Sequence, residues 1–428
     1  MQEDSVSSQA QRKNQAGVSR LVLAFVGTQY GWLWCNSAFS SMGMAVRMLT
    51  QGWLVLIMTD SPFWVGLVVG LQGVGLVGFG VFGGVLVDKL DRRVMLTFVQ
   101  LATGTTALAV GLLAVTGNIV LWHMLVAAFV QGLLQAVQMP ASNALIYQVV
   151  GPGKLLNAMA ARLMVFNMTR IIGSLIAGWL ITHISIGSCY LFSAGSSYLA
   201  APLLMALRGS YRPETTRESF WQVLSGGIRY AWSSASIRML LLMSLLMELY
   251  GFSHMVMLPV MARDVLHVGA EGLGALSAAG GAGAMLSTIV VAGLGDFKNK
   301  GLLLLVTAAG AGVFILLFAA SPWYLASMVL VAGVGASLMA YDATMGTLLQ
   351  LLSTDAVRGR MMGLYGLTFG FTPVGGFLAG AIGTLISVPF AVGLGGAIIL
   401  AYVAGTARRV LALRTLSKPS DKQKARLE

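Results

Sequence analysis

The chain is 428 residues long, 57% hydrophobic and only 10% charged, against roughly 25% charged residues in a soluble domain, which excludes an ordinary water-soluble globule and leaves no length for a large soluble domain. Its net charge of +12 would point to nucleic acid in a soluble protein, but here the basic residues collect in alternate loops, which marks membrane topology and not a nucleic-acid partner. Two cysteines, Cys35 and Cys189, both inside apolar stretches, exclude a disulfide framework and a thiolate metal cluster.

In chain order, a polar stretch from Met1 to Arg20 without a small-residue cleavage site reads as a retained cytoplasmic tail. Apolar segments follow at 32–58, 64–87, 94–116, 119–147, 155–182, 187–207, 237–264, 270–294, 301–320, 322–350, 360–386 and 388–411. Each is long enough for a transmembrane helix, since about 20 apolar residues cross the hydrocarbon core and tilt lengthens the span. Alternate loops carry Lys89, Arg92, Arg93, Lys154, Arg208, Arg212, Arg229, Lys298, Lys300, Arg358, Arg360 and the residues from Arg408 to Arg426, whereas the opposite set holds Arg263 alone. The positive-inside bias therefore predicts both termini in the cytoplasm and an even number of spans.

The longest hydrophilic stretch, Arg208 to Arg238, falls midway and predicts a linker with a short amphipathic helix on the membrane surface. An offset of 208 residues lays Gly66, Gly73, Gly75, Asp88 and Arg92 on Gly274, Gly281, Gly283, Asp296 and Lys300, and Gly173–Gly178 resembles Gly375–Gly380. The expected fold class is an all-α integral membrane protein: twelve transmembrane helices in two pseudo-symmetric six-helix bundles, with a site between the bundles near the midplane. The corresponding domains are a tail and the start of helix 1 over 1–31, a first bundle over 32–207, a linker over 208–236, a second bundle over 237–412 and a basic cytoplasmic tail over 413–428.

Between the second and third segments stands Gly83-Gly84-Val85-Leu86-Val87-Asp88-Lys89-Leu90-Asp91-Arg92-Arg93, which resembles the signature of the major facilitator superfamily. Small residues there permit close helix approach, and an acid beside a basic pair suits a conformational latch; Gly84, Asp88, Arg92 and Arg93, with Asp296 and Lys300 as the echo in the second half, are the latch residues this implies. Gln51-Gly52-Trp53-Leu54-Val55, Thr59-Asp60-Ser61-Pro62, Trp122-His123, Pro140-Ala141 and the Asn157, Asn167, Arg170 and Gly173 series narrow the resemblance. They are similar to the bacterial exporter branch that includes macrolide-efflux and enterobactin-exporter-like proteins. Ser174 stands where many exporters carry Pro after the helix-5 glycine, so the glycine-proline kink of those exporters is absent from this sequence.

Charges inside spans are costly and mark function by default. Four stand near mid-span: Arg47, Arg170, Glu248 and Asp342. Glu248 or Asp342 is expected to exchange a proton, because burial and a bound cation act oppositely on a carboxylate's charge; the alternative is a structural ion pair, such as Arg170 with a carboxylate. Gln51, Gln131, Gln135, Gln138, Asn167 and Tyr341 are further cavity candidates, and the 4 and 3 spacing of the three helix-4 glutamines puts them on one face. Gly73-Val74-Gly75-Leu76-Val77-Gly78 matches the dinucleotide-binding pattern GxGxxG but lies inside an apolar helix, so it predicts helix packing, as do Gly66/Gly70 and Gly80/Gly84. The four histidines show no metal-ligand spacing, and no cofactor is expected.

The expected function is proton-coupled export of an amphipathic small molecule by alternating access, performed by a monomer in the bacterial inner membrane among its lipids. The alternatives are export of a siderophore or other anionic metabolite, for which Arg47 and Arg170 would be ligands, and proton-coupled uptake. An enzyme is disfavoured because no nucleophile, base and acid converge on one side, and a receptor because no long exposed loops are present.

Overall fold

The computed structural model describes residues 29–412, apart from 88, 210, 213–219, 295, 296 and 298. Helices α1 (Gln29–Thr59), α2 (Pro62–Val87), α3 (Arg92–Val115), α4 (Leu121–Val150), α5 (Leu155–His183) and α6 (Ile186–Met205) form a first bundle. After α7 (Phe220–Ser233), the second bundle is built from α8 (Ala235–Leu246), α9 (His254–Val260), α10 (Ala270–Gly293), α11 (Lys300–Ala320), α12 (Tyr324–Leu352), α13 (Asp355–Thr368), α14 (Thr372–Leu385) and α15 (Val388–Ala412).

Two spans of the second bundle are broken. The seventh span runs from α8 through a π turn, Met247–Gly251, into α9 and a second π turn, Met261–Val265, while the eleventh joins α13 to α14 through a 3-10 turn, Phe369–Phe371. Counting each as one span, eleven segments among the described residues are long and apolar enough to cross a membrane. The serine-rich α6, 20 residues long and packed on α1 and α3, is the twelfth. The twelve begin and end within a few residues of the segments expected from hydropathy, because no solvated backbone is tolerated in lipid and helices alone satisfy it locally.

Lipid offers no hydrophobic drive between helices, so close backbone approach has to supply the packing. At Gly132 of α4 a Cβ would stand 2.1 Å from the Gln72 carbonyl of α2, and Gly75 of α2 meets the Phe129 carbonyl in the same way. Two glycines of the GxGxxG match, Gly73 and Gly75, thus pack closely, as do Gly66 and Gly70; Gly78 and Gly80, expected to pack likewise, face open space. The hydroxyls of Thr50, Thr169 and Thr344 bond carbonyls one turn back, at 2.7 to 2.8 Å, which satisfies them without a partner helix.

One end of the molecule carries both ends of the described chain and most of its basic residues, and is called the basic end; the other is the far end. At the basic end Tyr30, Leu33, Met95, Leu96, Leu145, Ile146, Leu207 and Tyr211 form a second core. At the far end Asp60 and His267 close the first and seventh spans with left-handed backbone, φ 50° and 52°, occupying matching places in the two bundles.

Candidate transport site between the bundles

The bundles touch along two seams, α2 with α14 and α5 with α10. On the first seam, Cβ atoms added at Gly66, Gly70 and Gly73 would meet Gly376, Phe377 and Pro373. On the second, Gly178 lies against Ala270 and Gly274, and Ser174 Oγ stands 2.9 Å from Ser277 Oγ. Gly52 of α1 abuts Pro259 of α9, and the Phe63 amide donates to Thr384 Oγ1 at 2.9 Å. All of these contacts belong to the far-end half. Toward the basic end the first seam stops at Val77 and Gly370, and Gly78, Gly80, Gly363 and Gly366 beyond it face open space. The two bundles are closed at the far end and parted at the basic end.

The expected acidic residues sit in the second bundle, against one face of the broken eleventh span. Tyr365, Thr368 and Thr372 recur at 3 and 4 residues and so share that face. The Tyr365 hydroxyl donates to Asp342 Oδ1 at 3.3 Å, Thr368 pairs with Ser244 at 2.8 Å, and the Thr372 hydroxyl donates to Glu248 Oε2. Glu248 lies in the first π turn and is 2% exposed. The sharp approach of α14 depends on Gly375, where a Cβ would fall 2.0 Å from the Leu249 carbonyl of that π turn. The buried Tyr341 hydroxyl, also in this region, has no hydrogen-bond partner.

The two arginines belong to the first bundle. Arg47 Nη1 donates to Ser193 Oγ at 3.0 Å within that bundle, whereas Arg170 reaches out of it, its Nη2 lying 3.8 Å from Met255 Sδ of α9. His254 of α9 is buried, its Nδ1 2.5 Å from the Gly251 carbonyl. Among the described residues neither arginine forms an ion pair, and neither do Glu248 and Asp342. The structural pairing of Arg170 with a carboxylate is therefore not made. The four intramembrane charges are divided by sign, cations on one bundle and carboxylates on the other.

The helix-4 glutamines are half-buried at Gln135 and Gln138 and buried at Gln131. Gln138 donates to Ser40 Oγ at 3.1 Å, Gln135 accepts from Gln72 at 3.3 Å, and Gln131 is buried with its Nε2 unpaired, as is Asn167 Oδ1. Gln51 is buried as well. Tyr365, Thr368, Thr372 and Ser244 were not singled out by sequence. Their only signal there is the polar 3 and 4 spacing inside an apolar span. A surface cleft of about 650 Å³ between α3 and α4 is lined by apolar residues such as Phe98, Leu101 and Val126 and lies apart from these charges.

The latch loop is engaged on its own side. Asp91 caps α3, accepting from the Arg93 and Val94 amides at 2.9 and 3.4 Å, and its other oxygen accepts from the Tyr211 amide at 3.2 Å. Arg93 Nη1 donates to the Leu207 carbonyl at 2.7 Å. Burial raises the Tyr211 hydroxyl above its ordinary pKa, keeping it a neutral donor to Gln29 Oε1 at 2.5 Å. Arg92 Nε is buried without a partner, and Lys300 Nζ donates to the Phe297 carbonyl at 3.2 Å. Asp88 and Asp296 lie outside the described residues, as do the two tails and the surroundings of Gly84.

Two six-helix bundles parted at one end, with charges buried between them, define a transporter of the major facilitator type. The chain belongs to the family described as Transmembrane secretion effector, whose model matches residues 23–426. Among similar proteins, the enterobactin exporter EntS of Escherichia coli is 26% identical over 329 residues, 76% of each chain, and that of Citrobacter koseri is equally close. The solved nucleoside transporter NupG superposes with a TM-score of 0.68 at 13% identity, over 91% of this chain and 100% of its own. A transporter of the POT family does so with 0.70 at 10% identity, over 89% and 96%. The likenesses to solved structures establish the fold, and the family is one of transporters, not enzymes.

Proposed function

We propose that this protein exports an amphipathic small molecule from the cytoplasm by alternating access, driven by proton entry. The excess of basic residues in its loops favours the cytoplasm of a bacterial inner membrane for the parted end and both termini; in this reading the closed far end faces outward and the cavity loads from inside. The single observation that carries the coupling is the state of Glu248 and Asp342: both are held by hydroxyls of the eleventh span and neither is neutralised by a cation. Carboxylates so placed can exchange charge state as substrate enters and leaves. One proton crossing 100 mV supplies about 2.3 kcal/mol, enough for about fortyfold accumulation. The unit is a monomer, since each bundle completes the site of the other, and lipid covers its outer faces.

The test uses everted vesicles holding a proton gradient, challenged with cationic dyes, macrolides and siderophores. Collapse of the gradient evoked by a compound, and abolished by Asp342→Asn or Glu248→Gln, is the expected outcome. No collapse with any compound in vesicles containing folded protein overturns proton-coupled export.

A second reading is favoured by Arg170, which projects between the bundles with no carboxylate beside it, and by the enterobactin exporters among the relatives. In this reading the cargo is an anionic metabolite of the siderophore kind. Arg170→Gln would then abolish transport of the siderophore, whereas a cationic cargo would depend on the carboxylates and tolerate the change.

A further inference from the structure

Arg263 is the one Lys or Arg of the far-end loops, and it does not behave as a surface charge. It sits in the second π turn of the seventh span, with its side chain 28% exposed. Its Nη2 donates to Asp60 Oδ1 at 2.5 Å and its Nη1 to the Leu56 carbonyl at 3.3 Å, so one guanidinium from the second bundle grips the end of α1 in the first. Two further bonds, Nε to Asp264 Oδ1 at 2.5 Å and Nη2 to Asp264 Oδ2 at 3.1 Å, fix the plane of the fork from its own helix.

The receiving side is shaped to match. Asp60 ends α1 with φ 50°, a left-handed conformation that costs an L-residue roughly 1–2 kcal/mol and that Asp tolerates better than most. The Leu56 carbonyl, which also accepts from the Asp60 amide at 2.9 Å, stands at the helix C-terminus, where a cation is favoured by the helix dipole. Asp60 lies in the Thr59-Asp60-Ser61-Pro62 segment, for which the intramembrane site provides no role. Across the molecule, His183 Nδ1 of α5 stands 3.3 Å from Glu271 Oε1 of α10 and 3.2 Å from the Trp179 carbonyl, a second polar contact between the bundles at the same end.

We propose that Arg263 and Asp60 form a clasp that holds the far side of the transporter shut and must release each time that side opens. The inference rests on the alternating-access reading and adds to it the residues that set the balance between the two states. An exposed ion pair alone would do little, since Asp60 is 84% exposed and such pairs contribute about 0–1 kcal/mol. The carbonyl grip and the pre-set guanidinium make the contact directional, and rocking apart of the bundles breaks all of its cross-bundle bonds at once.

The test measures spin-label distances between Asn118→Cys and Trp323→Cys, one far-end loop position in each bundle, with Cys35 and Cys189 replaced by Ser, in lipid nanodiscs. Asp60→Asn removes the ion pair and Arg263→Gln removes the carbonyl grip as well. The expected result is growth of the long-distance population, about threefold for Asp60→Asn and more for Arg263→Gln, with an intermediate population in Arg263→Lys, which keeps the charge and loses the fork. Unchanged distances in both single variants, at an unchanged thermal midpoint, would overturn the clasp. Because this readout needs no cargo, it is separate from the vesicle assay, whose failure would overturn the transport reading instead.

Discussion

Thr372 and Tyr365 each present one hydroxyl to one carboxylate, Glu248 and Asp342 respectively. A hydroxyl can donate to the charged form or accept from the neutral form, so it accommodates both states of a proton carrier. Thr372→Val keeps the shape and removes that flexibility. It is expected to lower substrate-evoked proton movement at least tenfold while Thr372→Ser retains it, measured in the everted-vesicle assay. Asp91 offers a contrasting case at the same scale, since it caps α3 and also anchors the Tyr211 amide. Asp91→Ala should cost about 1 kcal/mol as a lost N-cap, read as a lower thermal midpoint of the purified protein. The intramembrane charges were legible in the sequence because an ionised group in an apolar run is costly and marks function by default. Their hydroxyl partners were not, because a threonine in a span ordinarily bonds its own helix, as Thr50 and Thr169 do here.

The broken spans carry the chemistry at the scale of the element. Glu248 and Arg263 occupy the two π turns of the seventh span, and π turns recur at functional positions because they re-aim a side chain out of the regular helical face. Hydropathy sees the seventh and eleventh spans as single apolar stretches, so their existence was legible and their breaks were not. The glycine echo Gly173–Gly178 and Gly375–Gly380 was legible too, but only the structure shows that each run ends on an inter-bundle seam, at Gly178 and Gly380, while Gly173 and Gly375 pack inside their own bundles. Gly375→Ala would force a Cβ against the Leu249 carbonyl, an overpacking that costs about 1–3 kcal/mol and pushes α14 off Glu248. The expected outcome is a lower thermal midpoint together with slowed transport. Gly363→Ala in α13, where the added carbon meets open space, should leave transport intact and raise the midpoint slightly, by the helix propensity of alanine.

For the whole molecule, the seams place small residues where the bundles must meet and part. Ser174 illustrates the point: without the proline that many exporters carry, its helix remains regular and its hydroxyl meets Ser277 of the other bundle at 2.9 Å. That contact is weak enough, at about 1 kcal/mol for an interhelical hydrogen bond in lipid, to be remade in every cycle. Rocking of the bundles requires Ser174 and Ser277 to separate when the far side opens. A Ser174→Cys/Ser277→Cys pair, with Cys35 and Cys189 replaced by Ser, should therefore crosslink under mild oxidation in resting membranes and stop transport, and reduction should restore it. Each single cysteine should transport whether oxidised or not. If the crosslinked protein transported as well as the reduced one, the seam would be a fixed joint, and the motion would have to be carried by α2 and α14 alone.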